Sequence, residues 1–261
     1  MLGLGLGLTR LSGTFIGGDT TSFITTWRTT TDNETITIPT TGSGYNYDVS
    51  TSDGQAFSGE TGNKGITFTV AGDYDISISG DFPRIYFNNG GDKVKVINIK
   101  QWGNIAWNSF VGAFFGCSNL VGAFTDAPNL SGVSDMTNAF RAASSYDGRF
   151  VGWDFNTITD MYAMLYQAAS YTQSLASLNI VNVTDMRYLL TTATLTEANY
   201  NATLIGWEAT LQAYVAGGGT YSHSIVITFG NSEYTGGGAA AAARASLISN
   251  FGWTITDGGI A

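Results

Sequence analysis

The sequence predicts a mixed α and β chain in four parts. These are an N-terminal apolar arm, a small immunoglobulin-like β-sandwich, a short α/β repeat solenoid and a C-terminal cap. Three observations predict it. A phrase of the form apolar–Ser/Thr–Asp–Met recurs at Val133–Met136, Ile158–Met161 and Val183–Met186, its aspartates 25 residues apart (160 − 135 and 185 − 160). Upstream, between Phe23 and Ile78, short runs alternate apolar residues with Thr, Ser or Asp. At the start, Met1–Leu8 alternates Leu with Gly. The boundaries drawn from these patterns are 1–18 for arm and linker, 19–98 for the sandwich, 99–194 for the repeats and 195–261 for the cap.

The arm comes first. Extended, it would place Leu2, Leu4, Leu6 and Leu8 on one side and bare backbone on the other. The first basic residue, Arg10, follows the apolar run, and glycine interrupts that run throughout, so a secretion signal is not expected. The run is also far shorter than the roughly 20 residues of a membrane span. A frayed glycine-rich tail is one reading. The one taken forward is an anchoring arm that docks on a partner by strand addition.

The sandwich follows. Phe23–Trp27, Thr35–Ile38, Tyr45–Val49, Ile66–Val70 and Tyr74–Ile78 read as half-buried strands, with turns at Pro39, Ser52–Gly54 and Ala71–Asp73. Lys93–Val96 alternates charge with valine, as on the wet face of a strand.

In each repeat, apolar residues after Asp-Met fall at i, i+3, i+4 and i+7: Met136, Ala139, Phe140, Ala143; Met161, Met164, Leu165, Ala168; Met186, Leu189, Leu190, Ala193. That spacing predicts one face of a short amphipathic helix. Ser134, Thr159 and Thr184 stand where an N-cap hydroxyl would sit, and the aspartates at the positive end of the helix dipole. Phe155 and Ile180 read as the inward side of a short strand. A diverged earlier copy, Trp107 to Phe124, matches the Val133 unit at 26 residues (133 − 107), so one extra residue lies between Phe124 and Leu130. Repeats of 20–29 residues signal a leucine-rich-repeat type of solenoid, in which units must stack to bury their apolar faces. The cap is read as a helix through Tyr200, Leu204, Trp207 and Leu211, a strand at Ile225–Phe229, an alanine-rich helix at Ala239–Phe251 and a last strand at Trp253–Ile255.

Chemistry-bearing residues are few. Cys117 aligns with Ala143 and Ala168 and is expected to be a small core residue rather than a reactive thiol. The repeat aspartates read as element-start residues rather than a catalytic row. Asp147 and Asp154 are the nearest thing to a glycosidase carboxylate pair, and nothing sets them apart from surface residues. His223 has neither a second histidine nor a cysteine pair to make a zinc site, and is expected on the surface. No metal, cofactor or catalytic residue is assigned. Only 12% of residues are charged, the net charge is −9, and no Lys/Arg block is present. Nucleic-acid binding is therefore not expected.

Several phrases carry a resemblance. They are Asp81–Asn89, Ile99–Gly103, Phe115–Leu120, the Val-Thr-Asp-Met repeat starts, Leu204–Trp207 and Asn250–Ile255. Together they resemble the BspA-like leucine-rich-repeat surface proteins, and Phe23–Gly80 is similar to the PKD-like sandwich that often precedes such repeats. The resemblance implies a non-catalytic surface protein with adhesion as its role. The short repeat run and the Leu/Gly start resemble more closely a bacteriophage virion protein carrying the same module: a head or tail fibre, decoration or receptor-binding component. In that reading residues 2–8 contact other virion proteins and the repeats face a host protein or glycan. Homo-oligomerisation stays open. The alternative is a bacterial cell-surface adhesin, with binding mapped to the candidate ligand-facing residues, the outward strand positions Asp154, Asn156 and Asn179.

Overall fold

Strand β1 (Phe23–Thr29) is buried at all but one of its residues, which marks it as a central strand. It lies between β6 (Gly72–Asp81) and β7 (Val96–Gln101), antiparallel to both. A computed structural model describes residues 19–261 of the chain, so the arm expected at Leu2, Leu4, Leu6 and Leu8 lies outside the described residues. With β3 (Asn46–Thr51), β4 (Ala56–Glu60) and β8 (Val121–Gly122), these strands form one open sheet in the order β4-β3-β6-β1-β7-β8. A second, two-stranded sheet pairs β2 (Glu34–Ile38) with β5 (Lys64–Phe68). Alternation buries Ile36, Ile38, Ile66 and Phe68 of this pair in the same core as Trp27, Tyr47, Val49 and Ile76 of the larger sheet. The described chain is thus mixed and mostly β, with open sheets and two helices.

One expectation needs correction here. Lys93 and Lys95 sit in a turn, and the strand starts only at Val96. The reason is local: the Lys95 amide closes a turn on the Asp92 carbonyl and its ammonium pairs with Glu34 and Asp92, 2.9 Å from each, so the sheet is met only by the Lys95 carbonyl, which accepts from the Arg28 amide of β1. Strand β7 pairs in parallel with β8, Asn98 with Val121 and Ile99 with Gly122.

The repeat stretches hold no helix. Each instead forms a ribbon of successive turns whose amide hydrogens alternate between two kinds of acceptor. One set closes turns within the ribbon: Ala139 to the Met136 carbonyl, Arg141 to Asn138, Ala143 to Phe140. The other set reaches the next copy: Met136 to the Asp160 carbonyl (2.8 Å), Asn138 to Tyr162 (3.0 Å), Phe140 to Met164 (2.9 Å) and Ala142 to Tyr166 (2.7 Å). The pattern recurs one copy on, where Met161, Ala163, Leu165 and Gln167 donate to Asp185, Arg187, Leu189 and Thr191. Turning the amides outward requires left-handed backbone at every fourth residue. Asn138 and Ala142, Ala163 and Gln167, and Tyr188 and Thr192 all have positive φ. For non-glycine residues that conformation costs roughly 1–2 kcal/mol each, offset by inter-copy hydrogen bonds worth about 0.5–1.5 kcal/mol each and by apolar burial. The apolar spacing that suggested a helix fits this four-residue turn ribbon equally well, since Met136 and Phe140, or Ala139 and Ala143, are four apart.

The ladder starts before the first recognisable copy. Phe87 and Asn89 donate to Ala113 and Phe115. The extra residue between the first two copies shows directly in the register: Phe114 bonds to Ala139, 25 positions on (139 − 114), whereas Phe140 bonds to Met164, 24 on (164 − 140). Phe155 and Ile180 are buried as expected, but in turns rather than in a strand.

The last copy is closed by β9 (Val226–Thr228), whose Ile227 bridges Met186 and whose Thr228 carbonyl accepts from Leu190. Helix α1 (Glu197–Ala216) is N-capped by Thr196 and buries Tyr200, Leu204, Trp207 and Leu211, the face expected from the spacing. Two short parallel pairs complete the cap: β9 with β11 (Thr254–Thr256), and β10 (Glu233–Tyr234) with β12 (Gly259–Ile260). Helix α2 (Ala239–Ser249) forms the crossover between β9 and β11 and packs on α1. Asp257 fastens this assembly: its 3%-exposed carboxylate accepts from Arg244 Nε at 2.7 Å and from the Tyr200 hydroxyl.

Candidate binding site on the repeat stack

The repeat aspartates serve the backbone. Asp135 and Asp160 each accept from the amide two residues on, Thr137 and Tyr162, at 2.7 Å. Asp185 does the same for Arg187 and also holds its guanidinium. These are Asx turns that start each ribbon, and the paired backbones Asp135–Asp160 and Asp160–Asp185 are parallel bridges. The hydroxyls expected as N-caps bond across copies instead, Thr159 to the Ser134 carbonyl and Thr184 to that of Thr159. With no helix present, there is no helix end for them to cap.

The residues expected to face a ligand form a second ladder of this kind. Asp154 accepts from the Asn156 amide at 2.9 Å and Asn179 from the Val181 amide at 3.1 Å, while Asn129 does the same for Ser131 one copy earlier. The Asn179 amide also donates to the Asn156 side chain at 2.5 Å. The structure therefore brings Asn156 and Asn179 together, with Asp154 and Asn156 exposed and Asn179 half-buried, and each has a role in its own turn. Asp147 is engaged with Thr172 and Gln173. Cys117 is buried, as its alignment indicated, and burial pushes its thiol well above the usual range. His223 is half-buried, edge-on to Tyr221.

A concavity lies on the turn ribbons themselves, about 310 Å³ in volume and lined by Arg141, Tyr162, Ala163, Tyr166 and Tyr188. Three copies contribute to it. Arg141, Tyr166 and, from the copy before, Phe115 form a column in which the guanidinium carbon lies 4.9 Å from each ring centre. Beside it the Arg187 guanidinium covers Tyr162 at 5.4 Å. Tyr188 stands edge-on to Tyr162 and Tyr166, 5.6 and 6.3 Å away. Desolvated cation–π contacts of this kind are worth up to about 2 kcal/mol and orient the guanidinium. Arg141 Nε is buried without an acceptor among the described residues, a cost of about 1–3 kcal/mol carried at this position.

One lining residue, the buried Ala163, is far smaller than the others. Asn138, Ala163 and Tyr188 occupy the same place in three successive ribbons, each with positive φ, and only the middle copy has a methyl there. The aligned copies hold this signal in sequence, but a helical reading of the stretches gives Tyr162 and Tyr188 no common face.

Residues 86–210 match the family model described as "Mycoplasma protein of unknown function, DUF285", a domain found in BspA-like repeat proteins. The match begins at the first rung of the ladder and ends within α1. No curated protein and no solved structure matches the chain.

Proposed function

We propose that the chain is a non-catalytic attachment protein of a virion surface, as a fibre, decoration or receptor-binding component. Its stacked copies form a short BspA-like, leucine-rich-repeat type of solenoid, and the preceding sandwich is a PKD-like spacer. The Leu2, Leu4, Leu6 and Leu8 arm anchors it to other virion proteins, and the stack faces a host protein or glycan. The observation that carries this reading is the division of labour in the copies. Their carboxylates, at Asp135, Asp160 and Asp185, are engaged in backbone turns, while three tyrosines and Arg141 line the concavity around Ala163. Tyr and Arg are the residues that most often dominate recognition surfaces.

The test is mass spectrometry across a density gradient of the native source, together with a variant lacking residues 1–12. Co-migration with capsid proteins at fixed stoichiometry, lost on truncation while the domain stays folded, is the expected result. Normal incorporation of the truncated protein overturns the anchoring role. One observation favours a second reading: the matching family is described from a cellular bacterium. A bacterial surface adhesin predicts the protein in the envelope fraction of cells that carry no virus.

A further inference from the structure

We propose that the Ala163 concavity is a recognition site for an acidic sugar, with a single pyranose ring seated among Tyr162, Tyr166 and Tyr188 and its carboxylate against Arg141. The proposal deepens the attachment reading and rests on it for its biological setting.

Size comes first. At about 310 Å³ the site is at the lower end of the roughly 300–1,000 Å³ typical of small-molecule clefts, which suits one ring rather than an extended chain. The charge is local. The chain carries a net charge of −9, yet no carboxylate is among the residues lining this site. A cation that stands apart from acids in an acidic protein selects an anion.

The form of the anion follows from how Arg141 is held. Arg141 lies against Phe115 and Tyr166 of the flanking copies, its guanidinium carbon 4.9 Å from each ring centre, so a ligand must meet it at its edge. The one side-chain contact there is a long one, 3.3 Å from Nη1 to the Asn138 side-chain oxygen. An edge-presented guanidinium matches the planar fork of a carboxylate. The rest of the ligand must be a compact ring with apolar C–H faces and hydroxyl edges. Tyr188, 50% exposed, offers a ring face, and the hydroxyls of Tyr162, Tyr166 and Tyr188 have no hydrogen-bond partner among the described residues. Phenols arranged in this way give a sugar both stacking area and hydroxyl partners at low entropic cost.

A peptide fits less well. Its usual handhold is an unpaired backbone edge. Here the ribbon backbone is consumed by the ladder: the Ala163 amide bonds to Arg187, that of Leu165 to Leu189 and that of Tyr166 to Ala163.

The experiment is calorimetric titration of the full chain with trigalacturonate, a hyaluronan tetrasaccharide and sialyllactose. Galactotriose and lactose serve as neutral partners, and an acetylated, amidated triglutamate as the acidic peptide. The variants are Ala163→Asn, which places in the site the residue that Asn138 already supplies at the same left-handed position, together with Tyr188→Ala and Arg141→Gln. Melting curves verify that each is folded.

The expected result is saturable binding of at least one acidic sugar, favoured about tenfold or more over its neutral partner. Ala163→Asn and Tyr188→Ala should each weaken it about tenfold, and Arg141→Gln should remove the acidic preference. Binding of none of the three acidic sugars overturns the proposal. So do equal affinities for acidic and neutral sugars, tighter binding of triglutamate, or folded variants that bind like the parent. A protein that co-migrates with particles yet ignores these sugars keeps the attachment reading and loses this site. One that binds them but travels with neither particles nor envelopes does the reverse.

Discussion

Trp102 meets Trp153 edge-on, with ring centres 5.1 Å apart and planes at 86°. Trp102 directly follows the sandwich strand β7 and stacks on Phe23 of β1 at 5.5 Å, whereas Trp153 belongs to the repeats and packs on Phe150 and Phe140. Phe23 falls in the expected sandwich (19–98), and Trp102 and Trp153 in the expected repeats (99–194), so this chain of aromatic contacts joins two regions that the sequence separates. Trp153→Ala should cost about 3–5 kcal/mol. Urea unfolding followed at the sandwich and at the repeats should still give one coincident transition. Two separated transitions in the parent protein would show that this shared core does not couple them.

The Asp257 carboxylate is almost fully buried, with Arg244 and Tyr200 both donating to it. Its oxygens hold α2 to α1, and burial pushes the Tyr200 phenol far above its usual range, with the Asp257 hydrogen bond adding to the shift. Asp257→Asn leaves a half-buried guanidinium without its counter-charge. The expected loss is about 3–5 kcal/mol in denaturant melts; a loss below 1 kcal/mol would mean that water replaces the carboxylate without penalty.

Gly230 and Gly237 offer a matched pair. Both have positive φ, but a methyl at Gly230 would overlap the Ala193 carbonyl, whereas nothing lies within 4 Å of one at Gly237. Gly237→Ala should cost only the left-handed strain, roughly 1–2 kcal/mol. Gly230→Ala should cost clearly more, because it pushes the cap off the last copy. Equal shifts in melting temperature would contradict this account.

Asp160→Asn keeps the oxygen that accepts from the Tyr162 amide and the Thr137 hydroxyl, whereas Asp160→Ala removes it. The asparagine variant should be near parental, and the alanine variant should lose about 1–3 kcal/mol by orphaning those donors. A large loss in both would point to a role for the charge itself.

Glu34 lies well below its ordinary value of 4.5, at about 2, held there by the Lys95 ammonium and then by the Thr30 and Thr31 amides. A depressed carboxylate contributes stability that is fully present above its unfolded value and is lost as pH falls through its folded one. The Glu34 contribution should therefore disappear between about pH 4.5 and pH 2. An NMR titration midpoint for Glu34 near 4.5 would rule out the Lys95 contact in solution.

Much of the fold was legible, for identifiable reasons. The strand runs at Phe23, Thr35, Tyr45, Ile66 and Tyr74 alternate cleanly, and all five overlap observed strands, although Tyr45 lies just before β3 and Thr69 and Val70 lie just beyond β5. The β4 run Ala56–Glu60 was missed because only Phe57 in it is a large apolar residue. The copies were found because stacking demands the same buried residue at the same place. Their local form was misread because i, i+3, i+4, i+7 suits a helix and a turn ribbon alike, and backbone handedness leaves no mark on Ala142 or Tyr188. Asp154, Asn156 and Asn179 read as outward positions of a short strand, whereas no strand forms there and their side chains bond to turn amides and to one another. The concavity depends on what Ala163 lacks beside its neighbours, so it emerges only when the copies are compared column by column.

The alternating ladder has a further consequence. Because main-chain bonds hold one copy to the next, the partly exposed side chains of Asn138 and Tyr188 in this column, unlike the buried methyl of Ala163, carry little of the folding burden. Those two positions are free to vary as an antibody loop varies on its framework. Inserting one more 25-residue copy would lengthen the molecule by one rung and add one more letter to whatever the surface spells out.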